Sequence, residues 1–503
     1  MFLGMDVGTG GTRAVLVDEH GHVVAEASAE HQPFRVPHPG WAEQDPEDWW
    51  RAARQAIRDV LAQAPRASGQ PATVDAVGLT GQMHGAVMLD KEGRVLRPAL
   101  IWCDVRTEPQ CVWLTNQFGG GDAGRRKLIE LTANPALPNF TLTKLLWVRD
   151  HEPEIFAKID HILCPKDYVR YRLTGAYAID VHEASGTLLL DVTHRTWSKE
   201  VARVAGIPES WLPQLFESPE ICANISDEAA SLTGLRSGTP VAAGAGDQGA
   251  GAVGMGILQP GSVSATIGTS GVVFAATAAP TKDPLGRLHT FCHAVPGRWH
   301  VMGVTQGAGL SLRWFRETLA AFPGYAQSYD DLLAAAATIP AGSDGVLWTP
   351  YLFGERTPHL DPTATAAFVG ITSTTTRAHL TRAVLEGVAY SLKDSFTLFS
   401  DLGIPLKGVR LGGGGARGPL WREIQANIYD YPCERLTAEE GGAFGAALLA
   451  GVGAQHWPDL EAACAAGITV AETIHPQPDL AQRYAQGYAG FRKVYPALKG
   501  IKG

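Results

Sequence analysis

A single carboxylate set among glycines is the first candidate for chemistry. The stretch VAAGAGDQGAG, residues 241–251, places Asp247 among Gly244, Gly246, Gly249 and Gly251, where an apolar strand gives way to a small-residue helix. Glycines there let another group approach the backbone, so Asp247 reads as an active-site carboxylate, with helix capping as the alternative at that position. Asp6 is the second candidate, because a carboxylate in the apolar run FLGMDV needs a partner. It precedes Gly8-Thr9-Gly10-Gly11-Thr12, whose backbone N–H groups and hydroxyls suit a phosphate cradle, and it is placed to hold a hydrated Mg²⁺ beside those phosphates. Gly268-Thr269-Ser270-Gly271 repeats that turn chemistry, and the four glycines at 412–415 suit a backbone crowded against a nucleotide. Gln82, Met83 and His84, between Gly81 and Gly85, read as a polar pocket wall, while Asp104 and Arg106 offer hydrogen bonds to a polyhydroxylated ligand.

These loops need rigid neighbours. FLGMDV and AVLVDEHGHVVAEA read as strands with a turn at His20-Gly21, and SVSATIGTSGVVFAA, 262–276, as a second hairpin. A hairpin with a Gly/Thr/Ser turn at the start of each half predicts a duplicated domain with two phosphate loops facing one cleft. A helix is expected from the Asp45 cap and Pro46 to about Ala64, and NFTLTKLLWVRDHEPEIF, 139–156, reads as one further helix. HILCPKDYVRYRLTG gives a strand and a helix ended by Gly175, with Lys144 and Lys166 expected in solvated or capping positions. In the second half, 348–362 reads as a polar loop beside the cleft. Residues 378–399 read as a long amphipathic helix with Glu386 and Asp394 as surface or capping charges. EEGGAFGAALLAGVG, 439–453, predicts a small-residue helix close to the same site, and the C-terminal segment a surface helix.

Composition narrows the class. A chain of 503 residues implies two or more domains, and 45% hydrophobic with 18% charged residues is typical of soluble globular proteins. Its 42 basic and 51 acidic side chains give −9 with no basic run, which argues against nucleic acid as a partner. No apolar run reaches membrane-spanning length and MFLGMDVGTG carries no basic leader, so no membrane contact and a cytoplasmic location are expected. The seven cysteines are scattered without a CxxC pair, as in a reducing compartment. His289, Cys292 and His293 lack further ligands nearby, so packing is expected of them rather than metal binding.

Taken in order, MDVGTGGTR, GQMHG, NFTLTKLLWVRDHEPEIF, GAGDQGAGAVG, IGTSG, GERTPH, RAVLEGVAYSL and LGGGGARG resemble the FGGY family of carbohydrate kinases over nearly the whole chain, and within it the members that phosphorylate D-xylulose. The resemblance implies an α/β fold of two duplicated actin-like (ribonuclease H-like) ATPase domains around a central cleft, 1–247 for the sugar and 248–503 for the nucleotide. It implies ATP and Mg²⁺ as cofactors and a small-molecule sugar as partner, and is compatible with a homodimer. By this resemblance Asp247 is the general base, and Asp6 with Asp247 positions Mg²⁺ largely through water. Thr9, Gly10, Gly11, Thr12 and Arg13, with Gly268 and Thr269, hold phosphates, while Gly413, Gly414, Gly415, Ala416 and Arg417 face the adenosine. Met83 and His84 contact the ketose, with Asp104 and Gln248 as further sugar contacts. Gln248 and Cys103 stand where members often carry Asn, which keeps another ketose or a polyol, such as ribulose or an alditol, as the alternative substrate. Actin-like folds also serve chaperones and filaments; GQMHG together with GAGDQG argues against those, and the retained Asp247 against a silent sugar sensor.

Overall fold

The computed structural model describes residues 1–64, 66–67, 70–71, 73–321, 326–437 and 441–501. The N-terminal half starts with strand β1 (Phe2–Val7), antiparallel to β2 (Gly11–Val17), which pairs with β3 (Val23–Glu30). Helix α1 (Pro46–Gln63) begins where expected: Asp45 Oδ1 accepts the Glu47 N–H at 3.0 Å and Pro46 sits in the first turn, where no N–H is needed. Its buried face, Trp49, Ala53, Ala56, Ile57 and Val60, covers the hairpin. Strand β4 (Ala76–Gly81) returns parallel to β1, with Val7 opposite Gly81.

An inserted lobe follows, containing α2 (Thr141–His151), α3 (Pro165–Thr174) and the short α4 (Val181–Ser185). The single helix expected over 139–156 is two: Glu152 leaves the helical region at φ −133°, ψ 55°, and Pro153 opens a separate turn to Phe156. Proline clashes with a helical residue before it, so the chain breaks there. Strands β5 (Ile221–Asn224) and β6 (Pro240–Ala242) complete the first sheet, in the order β5-β6-β4-β1-β2-β3, and α5 (Asp247–Gly254) leads out of it.

The second half repeats this topology. Strands β7 (Ser262–Ile267) and β8 (Gly271–Thr277) form the hairpin; β9 (His289–Cys292) and β10 (Trp299–Thr305) extend it, and α6 (Gly309–Ala320) follows. After α7 (Arg377–Asp401), strand β11 (Gly408–Gly413) lies parallel to β7 with Ile267 opposite Gly413, as Val7 lies opposite Gly81. Helix α8 (Pro419–Tyr429), β12 (Cys433–Leu436), α9 (Gly441–Gly453), β13 (Val470–Ile474) and α10 (Pro478–Leu498) complete the fold. The second sheet runs β9-β10-β8-β7-β11-β12-β13. Read from the other edge, β12-β11-β7-β8-β10 matches β6-β4-β1-β2-β3 strand for strand, parallel and antiparallel pairs included; β9 is added, and the antiparallel edge strand comes before β6 in the first half (β5) but after β12 in the second (β13). The expected start of α9 at 439–440 lies outside the described residues.

The halves meet through small residues. A Cβ on Gly445 of α9 would fall 1.9 Å from the Ala250 carbonyl oxygen of α5, and Cβ atoms on Gly4 and Gly78 would fall 1.8 and 1.9 Å from carbonyls of α9. Helix α9 therefore belongs to the second half in sequence and packs on the sheet of the first. Among the described residues no helix is long and apolar enough to cross a membrane.

Some expected surface features are interior. The segment expected as a polar loop over 348–362 starts in a strand, Leu347–Thr349, and buries Trp348 and Tyr351. Glu386 and Asp394 are buried as well. Arg382 Nε, at 2.8 Å, is bonded to Glu386, which also accepts from Tyr484 Oη and Ser343 Oγ; Asp394 accepts from Tyr488 Oη at 2.6 Å. Both tyrosines come from α10, which covers the side of α7 that an amphipathic reading leaves to solvent. Burial lifts the Asp394 pKa from 3.8 to about 7. The unfolded chain loses that proton near 3.8 and the folded chain keeps it until about 7, so stability falls as pH rises between the two values. Asp394→Asn keeps an acceptor for Tyr488 and removes the titration. The melting temperature of the variant, relative to the parent, is expected to be higher at pH 8 than at pH 5; a difference independent of pH would refute this.

Candidate active site

Asp247 is the first residue of α5, so its carboxylate sits at the positive end of the helix. Burial, and then the like charge of Asp6, raise its pKa to about 7, which poises it as a base near neutrality. Asp6, on β1 opposite Arg13 and Thr80, is raised to about 6 by burial against the opposing pull of Arg13. A Cβ on Gly442, at the start of α9, would lie 3.2 Å from Asp6 Oδ2, so the two helix starts converge on the end of β1.

A cavity of about 230 Å³ runs from Asp247 and Gln248 past Thr266 to Gly412, Gly413 and Gly441. A larger one, about 810 Å³, opens between Gly268 and Thr269 on one side and Gly414, Gly415 and Arg417 on the other, with Trp421 lining it. The first of these loops is tied to the start of α6 by Gly309 N–H to Gly268 O, 2.8 Å, and Leu310 N–H to Thr269 O, 3.2 Å. The second accepts only glycine at two points: Gly413 has φ 71°, and a Cβ on Gly415 would lie 2.6 Å from Ile267 Cβ. From behind, Gln425 Nε2 donates to Gly415 O, and Arg422 Nη1 donates to the Ala416 and Arg417 carbonyls at 2.9 and 2.7 Å, fixing the turn on α8.

The N-terminal loop is held differently. Thr9 Oγ1 accepts from Trp102 Nε1 at 2.9 Å and faces Gln82 Oε1 at 3.3 Å, while Thr12 Oγ1 pairs with His31 Nε2 at 2.9 Å. Both hydroxyls are engaged inside the protein, so this loop offers a phosphate chiefly its glycine backbone; space beside Gly10 is open. Arg13 pairs with Glu26.

In the QMHG loop, His84 takes a left-handed φ of 69°. Its Nδ1 lies 2.8 Å from the Gly186 carbonyl, which can only accept; the N–H is therefore on Nδ1, and Nε2 is left as an acceptor. Burial, then the charge of Lys144, push the imidazole well below its usual pKa, so it is neutral. Lys144 is fully buried rather than solvated: Nζ donates to His84 O at 2.8 Å and to Asn139 O at 2.5 Å, which fixes the QMHG loop. Lys166 is fully buried too, 2.5 Å from Asp167 Oδ1 and 2.6 Å from Asp180 Oδ2, and it donates to Ala243 O just ahead of Asp247. Helical spacing could not place either one, because His84, Asp180 and Ala243, which hold them inward, lie on other segments. Asp104 is fully buried, accepting the Ala42 N–H at 2.7 Å and gripping Arg106 through both oxygens, so its carboxylate is spent inside the protein rather than offered to a sugar.

Two residues missed in the sequence stand directly under Asp247. His182 Nδ1 accepts the Gly246 N–H at 3.1 Å, and Glu183 Oε1 accepts the His84 N–H at 3.3 Å, so α4 joins the QMHG loop to the start of α5. Cβ atoms on Gly246 and Gly249 would lie 2.9 Å from Glu183 Oε2 and 2.5 Å from His182 Nε2, which explains two of the glycines around Asp247. The neighbouring His and Glu in DVHEASG were the available signal. His289 and Cys292 point to opposite faces of β9, with Cys292 Sγ near Val192 O.

Fold and site together define a phosphotransferase architecture: two equivalent sheets, glycine turns on both sides of one cleft and a carboxylate at its centre. Residues 1–254 match the N-terminal domain of the FGGY family of carbohydrate kinases and residues 263–454 its C-terminal domain, and the chain belongs to that family. It is 37% identical over 499 residues to the xylulose kinase of Bacillus subtilis (strain 168), covering 99% of this chain and 97% of the other. With the xylulose kinase of Escherichia coli (strain K12) it shares 41% over 455 residues, 90% of each chain. The crystal structure of xylulose kinase from Rhodospirillum rubrum superposes with a TM-score of 0.91 at 32% identity, over 99% of both chains.

Proposed function

We propose that this carbohydrate kinase transfers the γ-phosphoryl group of ATP to the terminal hydroxyl of D-xylulose, giving D-xylulose 5-phosphate and ADP. The observation that carries the reading is the place of Asp247: a carboxylate with a pKa near 7, whose neighbour Gly246 packs against Met83 of the QMHG loop and whose cavity reaches the glycine turn at Gly412 and Gly413. The hydroxyl proton passes to Asp247, the oxygen–phosphorus bond forms, and the bond from the γ-phosphorus to the bridging oxygen breaks with ADP leaving. The 810 Å³ cavity accommodates the adenosine against the Gly414–Arg417 turn, with the Gly268-Thr269 backbone toward the phosphates.

Asp6 and Asp247 offer hard oxygen donors of like charge, and their raised pKa values mark a site short of positive charge. That chemistry fits Mg²⁺ held largely through water, which would neutralise phosphate charge. His84 Nε2 accepts a hydrogen bond from a sugar hydroxyl, Met83 packs beside it, and the Gln248 amide lies next to the base. A panel of ketoses and alditols in a coupled ADP-release assay tests the assignment. D-xylulose is expected to give the highest kcat/KM, and a clear preference for ribulose or an alditol would overturn it.

A further inference from the structure

One face of the second sheet forms the far wall of the sugar site. Registers Val272–Val304, Phe274–Met302 and His289–Met302 put these side chains on the same side, because directly opposed residues of antiparallel strands share a face. His84 docks there: Phe140 lies 5.2 Å from its ring and 5.7 Å from that of His289, centroid to centroid. Beyond β9 the face is continued by residues 355–357. Thr357 N–H donates to Val304 O at 3.0 Å, while Thr357 Oγ1 accepts the Val304 N–H at 3.1 Å and donates to Arg287 O at 2.8 Å. This places Arg356 at the rim of the wall. Burial comes first among the causes that depress His289, to about 3, and the Arg356 charge adds to it; the same charge reaches His84.

The donors around His84 are spent. The His84 Nδ1–H goes to Gly186 O and its backbone N–H to Glu183 Oε1, Lys144 Nζ to His84 O and Asn139 O, Gln82 Nε2 to Gln44 Oε1 and Gly8 O, and Trp102 Nε1 to Thr9 Oγ1. Arg356 differs. Its neighbour Glu355 is turned inward to the Gln306 and Arg356 N–H groups, at 2.9 and 2.8 Å, and among the described residues the half-buried guanidinium has neither a hydrogen-bond nor an ion-pair partner. A ketose carries one oxygen that can only accept, its C2 carbonyl, whereas every hydroxyl can donate or accept. His84 Nε2, an acceptor, serves a hydroxyl and cannot serve that carbonyl.

We propose that Arg356, carried by the second half, donates to the C2 carbonyl of the ketose held by His84 and thereby selects ketoses over the corresponding alditols. The inference rests on the ketose-kinase reading above. It also makes sugar recognition bridge the cleft, since His84 and Arg356 belong to different halves. Loss of a charged donor from a site built to use it costs roughly 10–100-fold in discrimination.

The test measures KM, or Ki where turnover is slow, for D-xylulose and for xylitol and D-arabinitol, the two alditols formed by reduction at C2. Arg356→Met, which removes the donor, is expected to raise the ketose KM roughly 10–100-fold, with the alditol constants, the ATP KM and the melting temperature little changed. Arg356→Lys, which keeps a donor, is expected to lie between. An unchanged ketose KM, or equal losses on ketose and alditols, would overturn the role of Arg356 alone. Preference of the parent enzyme for an alditol would overturn the substrate reading and this inference with it.

Discussion

Asp247→Ala is expected to lower kcat for sugar phosphorylation by ~10²–10⁴ or more while the fold and nucleotide affinity survive. The rate term is large because, in the proposed mechanism, the carboxylate acts on the proton that leaves as the oxygen–phosphorus bond forms, so that its interaction strengthens only as the reaction proceeds. The fold is insensitive for the same structural reasons that make the group reactive. Asp247 bears no salt bridge among the described residues, and its pKa near 7 records that burial and Asp6 oppose its charge. Removing it relieves that opposition, so the melting temperature should hold or rise. Steady-state ADP release with calorimetric titration of nucleotide checks both halves of the statement. Turnover within tenfold of the parent would remove Asp247 from the chemistry, and a collapse of the fold would make it structural.

The second large effect is on stability. Lys166→Met is expected to cost about 3–5 kcal/mol, because it leaves charge buried without its partner. Lys166 satisfies Asp167 and Asp180 at once, and with Arg170 it holds the Ala243 carbonyl at the exit of β6. Burial disfavours the charge on Lys166, yet the two carboxylates outweigh it and lift its pKa above the ordinary lysine value. Denaturant unfolding measures the loss. Because Asp180 also caps α4 and so orients His182 and Glu183 under Asp247, the surviving folded fraction should show a lowered kcat as well. A variant as stable as the parent would show that the cluster is dispensable.

Much of the scaffold was legible because it depends on local backbone demands. GTGGT and GTSG announce hairpin turns by composition alone, and the glycines at 412–415 announce a strand that must turn tightly against Ile267. What stayed hidden is charge paired across long separations. Lys144 meets the His84 carbonyl, Tyr488 meets Asp394, and His182 meets Gly246 from remote segments, and no periodicity in one helix carries those partners. A charged residue in a helical pattern is read as outward-facing, and here Lys144, Lys166, Glu386 and Asp394 all turn inward, each to at least one partner supplied by another element: His84 O, Asp180, Tyr484 and Tyr488. The break at Pro153 was local and readable; the apolar run before it masked the signal.

The matched sheets bear on the direction of transfer. Asp247 opens α5 after β6, and Gly441 opens α9 after β12, at the same step of the repeat. Met83 and His84 follow β4, and Gly414 and Gly415 follow β11, again at one step. A scaffold with two like halves has no inherent donor side or acceptor side. In the proposed reading, polarity arises because one repeat keeps side chains at these positions, suited to reading a small neutral polyol and taking its proton, and the other strips them to bare peptide, suited to a bulky polyanion. Exchanging Gly441 for a carboxylate would thus add chemistry on the side meant to be inert, and should repel the nucleotide rather than create a second acceptor site.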